Sequence, residues 1–352
     1  MPRIFRLIEV ASVAFALTAA LLLAAAAQEK PVATKPAGAQ DITRPNLQPK
    51  ALGGGQVQGF TLQPPGAAPD VSTFDPRADD AYGAFQRGYY LTAFKLALPR
   101  AEQGDPAAQT LIAELYDKGL GIPRDPKEAA AWYGIAAGKN YPEAQFAYAI
   151  KLLEGKDIDR DAGKARGLME KAADAGLPTA QFNLAQMIVA EKTGDPGFKK
   201  AMPYYLGAAE AGIPDAQYAL AQMYAGGLGV EKDDGEARRW LVEASQAGFD
   251  SAQVELGIWL ANGRGGPADE KAAHAWIAQA ASAGNVVAQN RLARVFAGGI
   301  GVARDDVEAV RWHTLAKAAG LEDKWLDDHV DGLDPLVVEA GRERAKQAGA
   351  KR

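Results

Sequence analysis

DAQYALAQMYAGGLGVEKDDGEARRW, residues Asp215 to Trp240, contains no Cys, His, Ser or Thr. It is built from Ala, Gly, Tyr and a closing Trp, residues that pack and turn rather than react. Its Ala216-Gln217 dipeptide recurs at Ala108-Gln109, Ala144-Gln145, Ala180-Gln181, Ala252-Gln253 and Ala288-Gln289, a constant spacing of 36 residues. Three further columns keep the same register: Ala129, Ala165, Ala201, Ala237, Ala273 and Ala309; Trp132, Leu168, Tyr204, Trp240, Trp276 and Trp312; and Gly104, Asn140, Gly176, Gly212, Gly248, Gly284 and Gly320. Self-similarity at a fixed period is the signature of a stacked repeat array.

Each unit reads as two helices. Pro106, Pro142, Pro178 and Pro214 stand at the expected first position of the first helix, where the missing N–H would have no partner anyway. Apolar residues then follow at helical spacing, as in Ala216, Leu220 and Tyr224. Gly227-Leu228-Gly229 ends this helix in a conformation that other residues resist. An Asp cap (Asp125, Asp233, Asp269, Asp305) opens the second helix, which carries the Ala columns with the large ring beside them. Small residues let helices approach closely, and the ring fills the gap to the next unit. One pair cannot bury its apolar stripe alone, so the units are expected to stack.

The run Ala-Gln-x-x-Leu-Ala/Gly-x-x-Tyr-x-x-Gly-x-Gly-Val-x-x-Asp-x-x-x-Ala-x-x-Trp, closed by Ala-Ala-x-x-Gly, resembles the Sel1-like repeat, a relative of the tetratricopeptide repeat. The resemblance covers residues 105–320 as six units. It implies an all-α, right-handed superhelical solenoid of antiparallel helix pairs. A degenerate helix pair at 76–104 precedes the array, and residues 321–352 read as capping helices, with Trp325, Leu326 and Val330 set to cover the last face. Two units depart from the pattern. Unit two has Gly155-Lys156-Asp157 in place of Gly-x-Gly. Unit three has Glu191 to Pro196 there and Pro203 early in its second helix, so that helix is expected to start near Met202 or to bend there.

If the pairs stack as in tetratricopeptide repeats, first-helix residues outside the Leu/Tyr core line a concave groove. Phe146, Phe182, Tyr218 and Asn290 occupy one such row, and Gln186, Gln222 and Arg294 lie one turn on. Amide groups beside aromatic rings suit an extended peptide, pairing its backbone and packing its side chains. The aromatic residues also fit plain interhelix packing, whereas Gln186, Gln222 and Arg294 have no packing reason visible in the sequence.

The chain flanking the array is of other kinds. Arg3 and Arg6 precede an uncharged stretch from Val10 to Ala27, ending in four Ala residues before Gln28-Glu29. Residues 1–27 therefore read as a signal peptide cleaved after Ala27, which places the protein in a bacterial periplasm. The alternative is an uncleaved anchor facing the periplasm, since these 18 uncharged residues approach the roughly 20 needed to span a bilayer. Residues 28–75 are rich in Pro and Gly and poor in large apolar side chains, and read as a disordered linker.

Catalytic, metal and cofactor chemistry have no marker in the sequence. The chain has no Cys, and its net charge of −5 opposes binding to nucleic acid. His274, His313 and His329 share no repeat column and read as surface helix positions. The basic tail, Arg342, Arg344, Lys346, Lys351 and Arg352, is explained by solvation at a helix end. The Gly-x-Gly elements lie between helices rather than after a strand, so they do not cradle phosphate. The expectation is a non-catalytic scaffold binding a protein or peptide partner. By resemblance, such proteins act as adaptors in signalling and envelope assembly, and one periplasmic group restrains a sensor kinase. The alternative is an envelope enzyme acting on cell wall or β-lactams. The exported members linked to that chemistry carry paired Cys, which this chain lacks.

Overall fold

The computed structural model describes residues 80–349. The signal-peptide and linker assignments at 1–27 and 28–75 lie outside the described residues, as does the start of the segment at 76–104. All described elements are helices. In chain order these are α1 (Asp80–Gln86), α2 (Tyr90–Glu102), α3 (Pro106–Lys118), α4 (Pro126–Gly138), α5 (Pro142–Glu154), α6 (Ala162–Asp174), α7 (Pro178–Glu191) and α8 (Asp195–Glu210). The chain continues through α9 (Pro214–Gly226), α10 (Asp234–Gln246), α11 (Asp250–Asn262), α12 (Glu270–Ser282), α13 (Val286–Gly298), α14 (Asp306–Ala318), α15 (Lys324–Asp331) and α16 (Pro335–Gly349).

Two compact units divide at Leu184 and Ala185, inside α7. In the N-terminal unit α1 packs on α2, α2 on α3, and so on in sequence to α6. Its core is the buried Ala of both helix types together with Leu111, Ile112, Leu115, Trp132 and Tyr133. In the C-terminal unit the same order runs from α8 to α14, with α16 packed against α14. Leu292, Ala293, Trp312 and Leu326 belong to its last core cluster. Each unit is thus a stack of antiparallel helix pairs.

Local chemistry explains the boundaries. The expected caps Asp125, Asp233, Asp269 and Asp305 each accept backbone amides of the first helical turn. Asp105, Asp161 and Asp323 do the same. In the Gly column, Asn140 is the one described non-Gly residue with positive φ, at 59°, a conformation Asn tolerates better than most. Gly229 also has positive φ, at 69°. A Cβ there would sit 2.6 Å from the Phe198 carbonyl carbon and closer still to the Lys199 amide nitrogen. The loop of one pair therefore rests directly on the backbone of the preceding pair's second helix.

The recurring Gln is a fastener between pairs. Gln109, Gln145, Gln217, Gln253 and Gln289 are buried. Each donates its side-chain amide to the carbonyl eight residues back, on Ala101, Ala137, Ala209, Ser245 and Ala281 respectively, and Gln181 donates to Ala173 likewise. Those carbonyls end the preceding helix and would otherwise be underused. We expect Gln217→Leu to lower unfolding free energy by about 1 kcal/mol in urea titrations. The effect stays modest because Ala209 O keeps its bond from the Gly212 amide, and because Gln217 Oε1 is itself buried without a partner.

The irregular units are repaired in different ways. At Asp157, where other units have Gly, the carboxylate takes Arg124 at 3.2 Å and Lys151 at 3.7 Å, and Lys151 also pairs with Asp117. The expected helix start near Met202 is not found: α8 begins at Asp195, with Pro196 in its first turn and Pro203 inside it. Gly194, at φ of 83°, lets the chain enter the helix early. Asp195 then accepts the Gly229 amide at 2.8 Å, tying this helix to the next loop.

Trp325 was expected under the cap with Leu326 and Val330. Leu326 and Val330 are buried, but Trp325 is 42% exposed. Its ring lies parallel to His329, 5.5 Å away, on the outer side of α15. His313 is not the surface position expected from its column. It is buried, with Nε2 2.9 Å from Asp327 Oδ1.

Candidate functional site

The first-helix row named from the sequence gathers around two carboxylates. On α9, the Tyr218 hydroxyl donates to Glu255 Oε2 at 2.9 Å, and the Gln222 amide donates to the same oxygen at 2.7 Å. The Tyr218 ring packs on Phe249, 5.1 Å between centroids. Arg264 lies 3.8 Å over the Trp259 ring and pairs with Asp234 at 2.9 Å. Burial pushes the Glu255 carboxyl up, and the bonds from Tyr218 and Gln222 and the Arg264 charge only partly offset it. Burial and the Glu255 charge push Tyr218 up as well.

On α13, Asn290 is buried and donates to Asp323 Oδ2 at 2.8 Å. Arg294 grips the same carboxylate with two bonds of 2.7 Å. Asp323 also caps α15 through the Leu326 amide. Burial would raise the Asp323 carboxyl, but the bonds from Arg294, Asn290 and Leu326 together hold it below the usual range. Arg294 lies 5.0 Å over the Trp325 ring.

Gln222 and Arg294 therefore do have an intramolecular reason, contrary to the sequence reading, because each neutralises or solvates an acid on the following helix pair. Phe146 on α5 and Phe182 on α7 are half-buried in the N-terminal unit. Gln186, half-buried on α7, belongs to the C-terminal unit. The two acids that organise the clusters were missed, and so was Arg264. Glu255 was a break in a column, standing where other units have Leu111, Ala147, Asn183, Ala219 and Arg291; Arg264 shares its column with Lys156 and Lys192 and so did not stand out, and Asp323 lies beyond the array.

The Glu255 cluster carries a direct test. A carboxyl raised on folding contributes most to stability below its unfolded value and loses that contribution as pH rises through the folded value. Glu255→Gln keeps an acceptor for Tyr218 and removes the charge. We expect it to melt higher than the parent at pH 7 and at the same temperature as the parent at pH 4. A lower midpoint at pH 7 alone would show that the charge itself is needed.

A family model described as the Sel1 repeat matches residues 106–141, 142–177, 214–249, 250–285 and 286–321. This is five repeats rather than six. The segment from 178 to 213, with its lost Gly-x-Gly turn and Pro203, is not matched, although α7 and α8 form there. Among solved structures, a Sel1 repeat protein from Oxalobacter formigenes is 28% identical, with a TM-score of 0.59 over 70% of this chain and 100% of that one. The protein c5321, a protective antigen present in uropathogenic Escherichia coli strains and displaying an SLR fold, is 25% identical. Its TM-score is 0.50 over 74% of this chain and 64% of its own length. Comparison with curated proteins gives no match.

Proposed function

Since the chain belongs to the Sel1 repeat family, whose members generally act as protein-interaction scaffolds, we propose that it is a non-catalytic adaptor of the bacterial envelope. It holds a peptide or domain of an envelope protein along the first-helix row of its repeats, and so regulates a sensor or an assembly complex. The N-terminal segment supports a periplasmic location, free after cleavage or anchored without it.

The observation that carries this reading is the Glu255 cluster. Leu111, Ala147 and Ala219 show that the stack can be built with apolar or small side chains in that column, yet here a carboxyl is kept half-buried, at a cost in desolvation, with Tyr218 and Gln222 aimed at it. Groups with shifted protonation cluster at functional sites. Gln186 lies in the same unit and extends the same row by repeat position.

A photo-crosslinking residue at Gln186, compared with one at the exposed Glu243 on α10, tests the proposal in cells. The expected result is one dominant protein adduct from position 186 and none from 243, identified by mass spectrometry. Equal adducts from both positions would remove the row as the binding surface. The absence of any adduct at 186, together with turnover of a reporter β-lactam or purified cell wall that survives repurification, would replace the adaptor by an enzyme.

A further inference from the structure

Arg291 is half-buried on α13, and its Nε is enclosed without a hydrogen-bond partner. Among the described residues no carboxylate pairs with its guanidinium. Asp323, whose charge it feels, is already taken by both nitrogens of Arg294. Burial and the Arg294 charge both disfavour the Arg291 cation. Nε is fully enclosed, whereas the two Nη groups are not.

The repeat makes this more pointed. The same column holds Leu111, Ala147, Asn183, Ala219 and Glu255, none of which brings a positive charge. A half-buried guanidinium without a counter-charge lowers stability, and Leu111, Ala147 and Ala219 show that a small or apolar residue can fill this place in the stack. Val287, one turn earlier on α13, is 48% exposed, and Trp325 is 42% exposed beneath Arg294. Arg and Trp are among the residues that anchor interface centres, and this unpaired Arg stands one turn from an exposed aliphatic and three residues from the Arg294 that covers an exposed Trp.

We propose that Arg291 receives a carboxylate of the protein partner, an acidic side chain on an extended segment whose apolar neighbours lie on Val287 and Trp325. This rests on the adaptor reading and gives its partner a chemistry. The planar Nη edge suits a carboxylate held by two parallel bonds. The exposed apolar side chains nearby favour a peptide over a free phosphate.

The probe is the acetylated peptide Leu-Glu-Leu-Glu, with Leu-Gln-Leu-Gln as its neutral counterpart, titrated into the full chain while the Arg Nε–H signals are followed by NMR. The acidic peptide is expected to move the Arg291 signal saturably, and to bind at least about tenfold more tightly than the neutral one, the discrimination of a single charge-assisted pair. Arg291→Gln is expected to abolish that preference while its melting midpoint stays level or rises, because no internal bond is lost. A midpoint lowered by several degrees would assign Arg291 a structural role and overturn the proposal. Equal binding of the two peptides, no saturable shift, or saturable binding to phosphatidylglycerol vesicles in place of the acidic peptide would overturn it as well. Undiminished crosslinking from Gln186 in the Arg291→Gln chain would then leave the adaptor standing without this contact.

Discussion

Gly229→Ala is expected to lower unfolding free energy by about 4 kcal/mol and the melting midpoint by about 10 °C. Two costs add. An Ala at φ of 69° carries about 1 kcal/mol of left-handed strain. The larger part comes from its Cβ, which has to displace the backbone of Phe198 and Lys199. Backbone cannot yield as a side-chain tip does, so the contact between neighbouring pairs must open. Gly248→Ala separates the two costs: its φ is 87°, yet nothing lies within 4 Å of the added Cβ. That variant is expected to lose only about 1 kcal/mol, the strain alone. Equal losses from the two substitutions, measured by circular dichroism melts, would show that close approach at Gly229 contributes nothing.

Asp323→Ala is expected to cost about 3 kcal/mol. It removes the cap of α15, worth about 1 kcal/mol, and strands Arg294 and Asn290 without their acceptor, where breaking a well-buried pair costs about 3–5 kcal/mol and this pair, with Arg294 at 26% exposure, costs less. Asp323→Asn keeps a cap acceptor and loses the charge, so it should fall between. The pH dependence has a definite sign. A carboxyl held below its unfolded value stabilises the fold above that value, and this contribution fades as pH falls through the folded value. The parent should therefore lose stability below about pH 4 more steeply than Asp323→Ala. Hydrogen exchange should locate the loss in α15 and α16 before it reaches α9. Uniform loss of protection across the C-terminal unit would mean that Asp323 holds more than the cap.

The array itself was legible because its signals are local and repeated. Ala-Gln, the Asp caps and the Gly column each report a backbone need that recurs every 36 residues. The α8 boundary was not legible, since the penalty at Pro203 was weighed against Met202, while Gly194 and the Asp195 contact to Gly229 lie upstream and in another repeat. The site was half legible. Tyr218, Gln222, Asn290 and Arg294 were named from their row, but their partners sit about one repeat away: Glu255 shows only as a departure from its column, and Asp323 lies beyond the array. A periodic sequence reports what every unit shares. What distinguishes one unit is a single residue, and its meaning depends on which neighbour it faces.

The Gln fastener has a consequence for how such a chain can change length. Each Gln reaches a carbonyl of the pair before it, and every internal seam uses the same atoms at the same offset. Excision of residues 214–249 would bring Gln253 to the Ala209 carbonyl that Gln217 now uses, so the joint would close without a new contact. A duplicated stretch would insert with equal ease. Gains and losses that keep this joint therefore come in steps of 36 residues, whole helix pairs. The end is not interchangeable in this way. Arg294 and Asn290 fit one acid, on one terminal helix, and so fix where the ladder stops.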